Sequence, residues 1–302
     1  MNRLIRLIIC TTVLHFLLFM SQLSADEPRS LDLPLWENGA PGALGTEAKD
    51  IPMALVKLPK SDAPTSALII LPGGGYGHLA MGHEGNDIAD WANRMGMAAI
   101  ICDYRHKGKG YRHPAPLQDA QRAIRMSRAK AKEWNIDPKR VGVIGFSAGG
   151  HLASTTLTKF DTGDESSPDT IAKQSSRPDF GILAYPVIVF GHAASHKGSE
   201  RNLLGDSPDP KLVESFSGEK NVSKETPPTF LFHTMEDKGV PPENSIAFYS
   251  AMIRNGVPGE LHIFEKGRHG IGLGKDVAVT SEWSKACERW LEARGIAKVP
   301  TH

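Results

Sequence analysis

The apolar positions of this chain fall in short continuous runs separated by segments with helical spacing. Runs at residues 51–58, 67–71, 97–103, 141–146, 180–185, 229–233 and 260–264 have the length of strands. Several are apolar throughout rather than alternating, the pattern of strands covered on both faces. Helical periodicity marks residues 86–95, 117–134, 148–157, 243–255 and 279–293. In the second of these, Leu117, Ala120, Ile124, Ser127 and Ala131 share one stripe, with Arg and Lys elsewhere, as expected of a helix with one face on a core. Strand and helix in alternation specify an α/β fold: a mostly parallel central sheet with helices on both faces. Residues 160–178 and 187–227, rich in Ser, Gly, Pro and Asp, read as surface loops. The second holds one short helical piece near 210–216, and neither is apolar enough for a second core. Some of this loop material is expected over the catalytic edge of the sheet. The chain therefore reads as one domain over 51–296, with an extension at 26–50 before it and a short tail at 297–302.

The first 25 residues break this pattern. Arg3 and Arg6 precede an apolar run from Leu7 to Met20, and Ser21 to Ala25 follow. That order is the basic start, apolar middle and small-residue exit of a secretory signal peptide. The run is short and interrupted by Thr11, Thr12 and His15, which disfavours a permanent membrane span. Leu23 stands where a smaller residue is usual before cleavage, so an uncleaved anchor is the alternative. Export to the periplasm or beyond is the expectation. Lys and Arg number 35 against 34 Asp and Glu. Cleavage after Ala25 would remove two cations and no acid, leaving about −1. A balance this even, with no local cationic cluster, argues against nucleic acid as a partner. Outside the leader only Cys102 and Cys287 remain. Both sit in apolar periodic segments and read as buried thiols with nothing nearby to activate them.

Chemistry concentrates at Gly145-Phe146-Ser147-Ala148-Gly149. A strand-like run enters this G-x-S-x-G motif and a helical pattern leaves it, the context of a nucleophile elbow. Small residues two before and two after the serine let the chain fold back on itself, and the helix N-terminus favours developing negative charge. A nucleophilic serine needs a base, and the base an orienting carboxylate. With this elbow they follow in the order serine, acid, histidine, each on a loop after a strand. The loop after 229–233 carries Glu236 and Asp237, which spacing alone does not separate, and the loop after 260–264 carries His269. Of the other late histidines, His262 lies within a strand pattern and His302 is terminal. His233, at a strand end, reads as a packed, hydrogen-bonded residue.

A tetrahedral oxyanion needs donors as well. The N–H of Ala148, directly after the serine, is one candidate. The loop Pro72-Gly73-Gly74-Gly75-Tyr76 supplies the other, with Gly74 and Gly75 as candidates and Tyr76 as a possible substrate contact. The glycines do not form a phosphate cradle, since no Lys-Ser or Lys-Thr follows them, nor a dinucleotide fingerprint. His78, His83 and Glu84, and the pair His106 and His113, lack a recognised zinc spacing. Structural roles are favoured for these and for His151, and Glu84 reads as an acid at a helix start. No metal or organic cofactor is implied.

With these residues in place the chain resembles the α/β-hydrolase superfamily, and within it the secreted bacterial carbohydrate acetylesterases, close to acetylxylan esterases and feruloyl-esterase-like proteins. The resemblance rests on Pro72–Tyr76, Tyr111-Arg112-His113-Pro114-Ala115-Pro116, Gly145–His151 and Gly267-Arg268-His269-Gly270, and spans about residues 50–295. One departure is Pro72, where lipase relatives carry His before the glycines. The family pattern D-x-x-V-P favours Asp237 over Glu236 as the acid. The resemblance implies a serine esterase that removes acetyl groups from carbohydrate esters such as acetylated xylan or xylo-oligosaccharides. Ser147 would act as nucleophile, His269 as base and Asp237 as orienting acid. Some proteins of this type are labelled xylanases, but glycosidases need two carboxylates flanking the sugar bond, and no such pair stands on neighbouring strand ends. A lactone hydrolase or a peptidase-like hydrolase on the same three residues stays open. So does a non-catalytic binding module on the same fold, against which the presence of all three residues argues.

Overall fold

The computed structural model describes residues 29–298. The expected signal peptide at 1–25 and the last four residues lie outside that range. Eight strands form one sheet: β1 Arg29–Pro34, β2 Met53–Leu58, β3 Thr65–Leu71, β4 Ala98–Asp103, β5 Ile136–Phe146, β6 Gly181–Ala184, β7 Thr229–Thr234 and β8 Gly259–Phe264. Their order is β1-β2-β4-β3-β5-β6-β7-β8. The six strands from β4 to β8 run parallel, while β2 is antiparallel to both β1 and β4. The mostly parallel sheet read from the alternating pattern is the one observed. β1 was not legible as a strand: within the stretch read as an extension, residues 29–34 pair with β2 along its full length.

Among the described residues seven α-helices accompany the sheet: α1 Asp87–Arg94, α2 Ala115–Ala129, α3 Ser147–Thr158, α4 Lys197–Leu204, α5 Pro210–Ser215, α6 Glu243–Arg254 and α7 Glu282–Ala293. Side-chain alternation divides the core between the two faces of the sheet. Ile69 and Leu71 of β3, Ile100 and Cys102 of β4, and Leu231 of β7 join one cluster, with Ile124 of α2, Leu152 of α3 and Phe248 of α6. Leu68 and Ile70, Ile101, Phe230 and Phe232 join the other, with Ile88 and Trp91 of α1 and Trp283, Cys287, Trp290 and Leu291 of α7. The α7 residues recur at i, i+4, i+7 and i+8, so one helical face carries the whole contact. Cys102 and Cys287 therefore sit on opposite sides of the sheet, both buried and free.

The two long loops differ in position because of topology. Residues 160–178 precede β6 and so lie at the N-terminal edge of the parallel strands, away from the glycine loop. There Arg122, Arg125 and Arg128, a stripe at every third residue of α2, hold Asp169, Asp161 and Asp179. Residues 187–227 follow β6 and so belong to the C-terminal edge. This segment contains α4 and α5, more ordered structure than its composition suggested. Beside the sheet, Arg105 and Asp119 form a buried bidentate pair, 2.9 Å from Nε to Oδ2 and 2.8 Å from Nη2 to Oδ1. Among the described residues no helix is long and apolar enough to cross a membrane.

Candidate active site

Parallel strands present their C-terminal ends to one edge, and loops there build sites in open α/β sheets. The loops after β3, β5, β6, β7 and β8 meet at this edge. β5 runs straight into Ser147, the first residue of α3, whose φ of 52° is left-handed. A non-glycine residue in that region is strained by about 1–3 kcal/mol and persists only where its surroundings hold it. The neighbours show how. A Cβ added at Gly145 would lie 2.1 Å from the carbonyl oxygen of Gly149, and one at Gly149 would lie 2.1 Å from that of Leu71. Only glycine lets the strand, helix and glycine loop approach this closely. The turn leaves Ser147 Oγ 2.8 Å from His269 Nε2, on the loop after β8.

The opposite nitrogen of that ring, Nδ1, lies 2.7 Å from Asp237 Oδ2, on the loop after β7. A carboxylate only accepts, so Nδ1 carries a proton and Nε2 accepts from the serine hydroxyl. Asp237 Oδ1 accepts the N–H groups of Gly239 and Val240 at 2.9 and 2.8 Å. His233 Nε2 donates to Val240 O at 2.9 Å and stands 3.4 Å from Asp237 Oδ2, and its Nδ1 meets the Ser245 hydroxyl. Burial works to raise the pKa of Asp237. The hydrogen bonds from His233 and His269 and the Val240 N–H outweigh it and hold the carboxyl well below the usual range. Glu236 turns outward, with Lys266 Nζ at 2.8 Å. The structure thus separates the two acids that spacing could not.

The glycine loop lies alongside. Gly74 and Gly75 have φ of 127° and 61°, which turns their peptides out of extended geometry. Gly74 O accepts from Gly77 and His78 N–H, and Asn202 of α4 holds Gly75 O at 2.8 Å. The N–H groups of Gly74 and Gly75 find no acceptor among the described residues, and that of Ala148, in the first turn of α3, has none within its helix. Tyr76 is placed differently from the expected substrate contact. It is 1% exposed, and its hydroxyl donates to His151 Nδ1 at 2.9 Å, while His151 Nε2 donates to Phe216 O. Its polar end is spent inside the fold. His151 accordingly packs as expected, stacked on Phe190. No group of three or more His, Cys, Asp or Glu among the described residues is arranged to hold a metal ion.

The BD-FAE family profile matches residues 53–252, which include Ser147 and Asp237. This chain belongs to the BD-FAE family. An acetylxylan esterase of Xylanibacter ruminicola is 37% identical over 233 residues, covering 75% of this chain and 45% of the relative. An endo-1,4-beta-xylanase B of Butyrivibrio fibrisolvens is 36% identical over 236 residues, covering 78% and 36%. The chain therefore spans less than half the length of either curated relative. The solved acetyl ester-xyloside bifunctional hydrolase of Caldicellulosiruptor lactoaceticus aligns at 46% identity with a TM-score of 0.84, covering 89% of this chain and 98% of that one. The fold of this BD-FAE chain is that of the α/β-hydrolases, and relatives named as esterases stand among the proteins it resembles.

Three further residues stand at this site for which the sequence suggested no part in it. Glu84 sits in a wide helical turn, Met81–Asn86, just before α1. Its side chain is buried against Gly73 and Tyr185. Tyr185, just after β6, has φ of 36° and presents its ring edge-on to His269 with centroids 5.2 Å apart. His196 caps α4 through Nδ1 and lies beside Gly75. Burial, then the charge of His269, lower its pKa. In the sequence Glu84 stands close after the glycine run and Tyr185 at a strand end, whereas nothing marks His196.

Proposed function

We propose that this protein is an exported serine esterase that removes acetyl groups from carbohydrate esters such as acetylated xylan or xylo-oligosaccharides. The observation that carries the reading is the relay from Asp237 Oδ2 through His269 to Ser147 Oγ, with contacts of 2.7 and 2.8 Å, set beside unoccupied backbone N–H donors. Ser147 Oγ bonds to the acetyl carbon as His269 Nε2 takes its proton, and Asp237 stabilises the imidazolium. The N–H groups of Ala148 and of Gly74 or Gly75 receive the oxyanion, where each donor is worth about 3 kcal/mol. The C–O bond to the sugar breaks, and the sugar oxygen takes the proton from His269. Water then attacks the acyl-serine, His269 takes its proton, and acetate departs as Ser147 recovers its hydrogen.

Acetylated sugar as substrate rests on likeness to the acetylxylan esterase and the acetyl ester-xyloside hydrolase. Glycoside cleavage finds less support in the site, because its two buried acids, Asp237 and Glu84, have their oxygens taken by hydrogen bonds. The test is purified protein on p-nitrophenyl acetate, acetylated xylo-oligosaccharides and p-nitrophenyl xyloside, beside Ser147→Ala. Acetate release from the first two, lost in the variant, is expected. No acetate from either ester, or a variant as active as wild type, would sink the proposal.

A further inference from the structure

We propose that Glu84 is a positioning residue: its buried carboxylate anchors the first glycine of the oxyanion loop and, through Tyr185, the loop that carries His269. This rests on the esterase reading above. Turns of the i→i+5 type are rare and recur at functional sites, and the one at Met81–Asn86 drives this acid inward to 2% exposure. Its two oxygens face different loops. Oε2 accepts the N–H of Gly73 at 2.8 Å. Oε1 accepts the hydroxyl of Tyr185 at 2.8 Å, and that hydroxyl in turn accepts the N–H of Gly272, also at 2.8 Å. Gly272 lies three residues after His269, and Gly73 directly precedes Gly74 and Gly75.

The anchor is close to the reacting atoms. A Cβ placed on Gly73 would stand 2.8 Å from Glu84 Oε2 and 2.9 Å from the Cβ of Ser147, so carboxylate and nucleophile flank the same residue. By taking the N–H of Gly73, Glu84 also decides which amides remain for an oxyanion: those of Gly74 and Gly75. An apolar residue at 84 would strand a backbone donor and a phenol in the interior. Two other titratable groups stand near it among the described residues: the exposed His83, whose Nε2 is 3.6 Å from Oε1, and the buried Tyr104, whose hydroxyl feels the carboxylate's charge. Both sides of the site, the oxyanion donors and the base, are thus referred to one side chain.

The full chain is assayed as wild type, Glu84→Gln, Glu84→Ala and Tyr185→Phe on p-nitrophenyl acetate. Phenylboronic acid, which forms a tetrahedral adduct on an active serine, is the binding probe. Misplacing reacting groups by about 1 Å costs roughly 100-fold, so Glu84→Ala should lower kcat by about that factor with KM within about threefold. Affinity for the boronate should fall in step, a readout that a purely structural role would not move. Glu84→Gln keeps one acceptor and should fall between. Tyr185→Phe keeps the Gly73 anchor and cuts the other, and about a tenfold loss in kcat is expected, again with KM unchanged. A folded Glu84→Gln with kcat near wild type, or with kcat lost but boronate affinity unchanged, would overturn the proposal. Should both Glu84 variants fail to fold, an unaltered Tyr185→Phe does so. Wild type inert on esters would instead remove the esterase reading, and this one with it.

Discussion

Replacing Asp237 by Asn is the sharpest test of how His269 is oriented. The carboxylate serves two sets of donors at once: Oδ1 takes the N–H groups of Gly239 and Val240, and Oδ2 faces His269 Nδ1 with His233 Nε2 behind it. Asn has a single acceptor oxygen. If it keeps the two backbone bonds, its NH2 group points at His269 Nδ1, which must then accept. The imidazole proton moves to Nε2, 2.8 Å from Ser147 Oγ, where it blocks the nitrogen that should take the serine proton. A wrong tautomer of this kind lowers kcat by about 10⁴, roughly 5 kcal/mol in the barrier at about 1.4 kcal/mol per tenfold. Substrate binding does not use the acid, so KM should stay within a few-fold. Steady-state kinetics on p-nitrophenyl acetate at pH 7–8 would compare Asp237→Asn with Glu236→Gln, whose carboxylate faces Lys266 instead. Asp237→Asn keeping more than a tenth of wild-type kcat, or Glu236→Gln losing more than about tenfold, would refute this orientation of His269.

Gly145→Ala would place a methyl 2.1 Å from the Gly149 carbonyl oxygen and 2.7 Å from Ala153 Cβ. No flexible side chain lies there to yield, so we expect a loss of more than about 3 kcal/mol, at or beyond the upper end for overpacking. Thermal unfolding within a few degrees of wild type would contradict this. Asp119→Ala leaves the buried Arg105 guanidinium without its partner, a change that typically costs about 3–5 kcal/mol. Denaturant unfolding should show it, with specific activity of the folded fraction retained. Burial pushes His151 down to about 4, whereas an unfolded histidine titrates near 6.5. Between these values the unfolded state carries the extra proton, so stability falls as pH drops from about 6.5 to 4 and this contribution then levels off. His151→Gln should flatten that slope in pH-dependent melting. The carboxyl of Asp237 acts in a lower window, its stabilisation present above the usual carboxylate range and lost as pH falls below it.

What could be read in advance was what local chemistry constrains. G-x-S-x-G between a strand and a helix has few alternatives, because the elbow needs glycine on both sides of the serine. Loop order after β7 and β8 then narrowed the partners to a short list. β1 was hidden for a different reason: its six residues are only partly buried at a sheet edge, so pairing with β2 decides it rather than its own pattern. α4 is eight residues long and is held by contacts far along the chain, including Asn202 to Gly75. Glu84 does stand in the first turn of a helical segment, where an acid has an ordinary explanation. Only the wide turn, which no residue pattern announces, carries it inward. Tyr76 failed in the opposite sense: beside the glycine loop in sequence, it spends its hydroxyl on His151.

The left-handed backbone of Ser147 has a consequence for the history of such chains. Glycine would occupy that conformation without the strain that serine bears there. A Ser147→Gly substitution needs a single nucleotide change from some serine codons, and it should raise the unfolding midpoint while abolishing acyl transfer. A lineage released from the need for activity would therefore drift toward glycine at this position, and selection for heat resistance alone would push the same way.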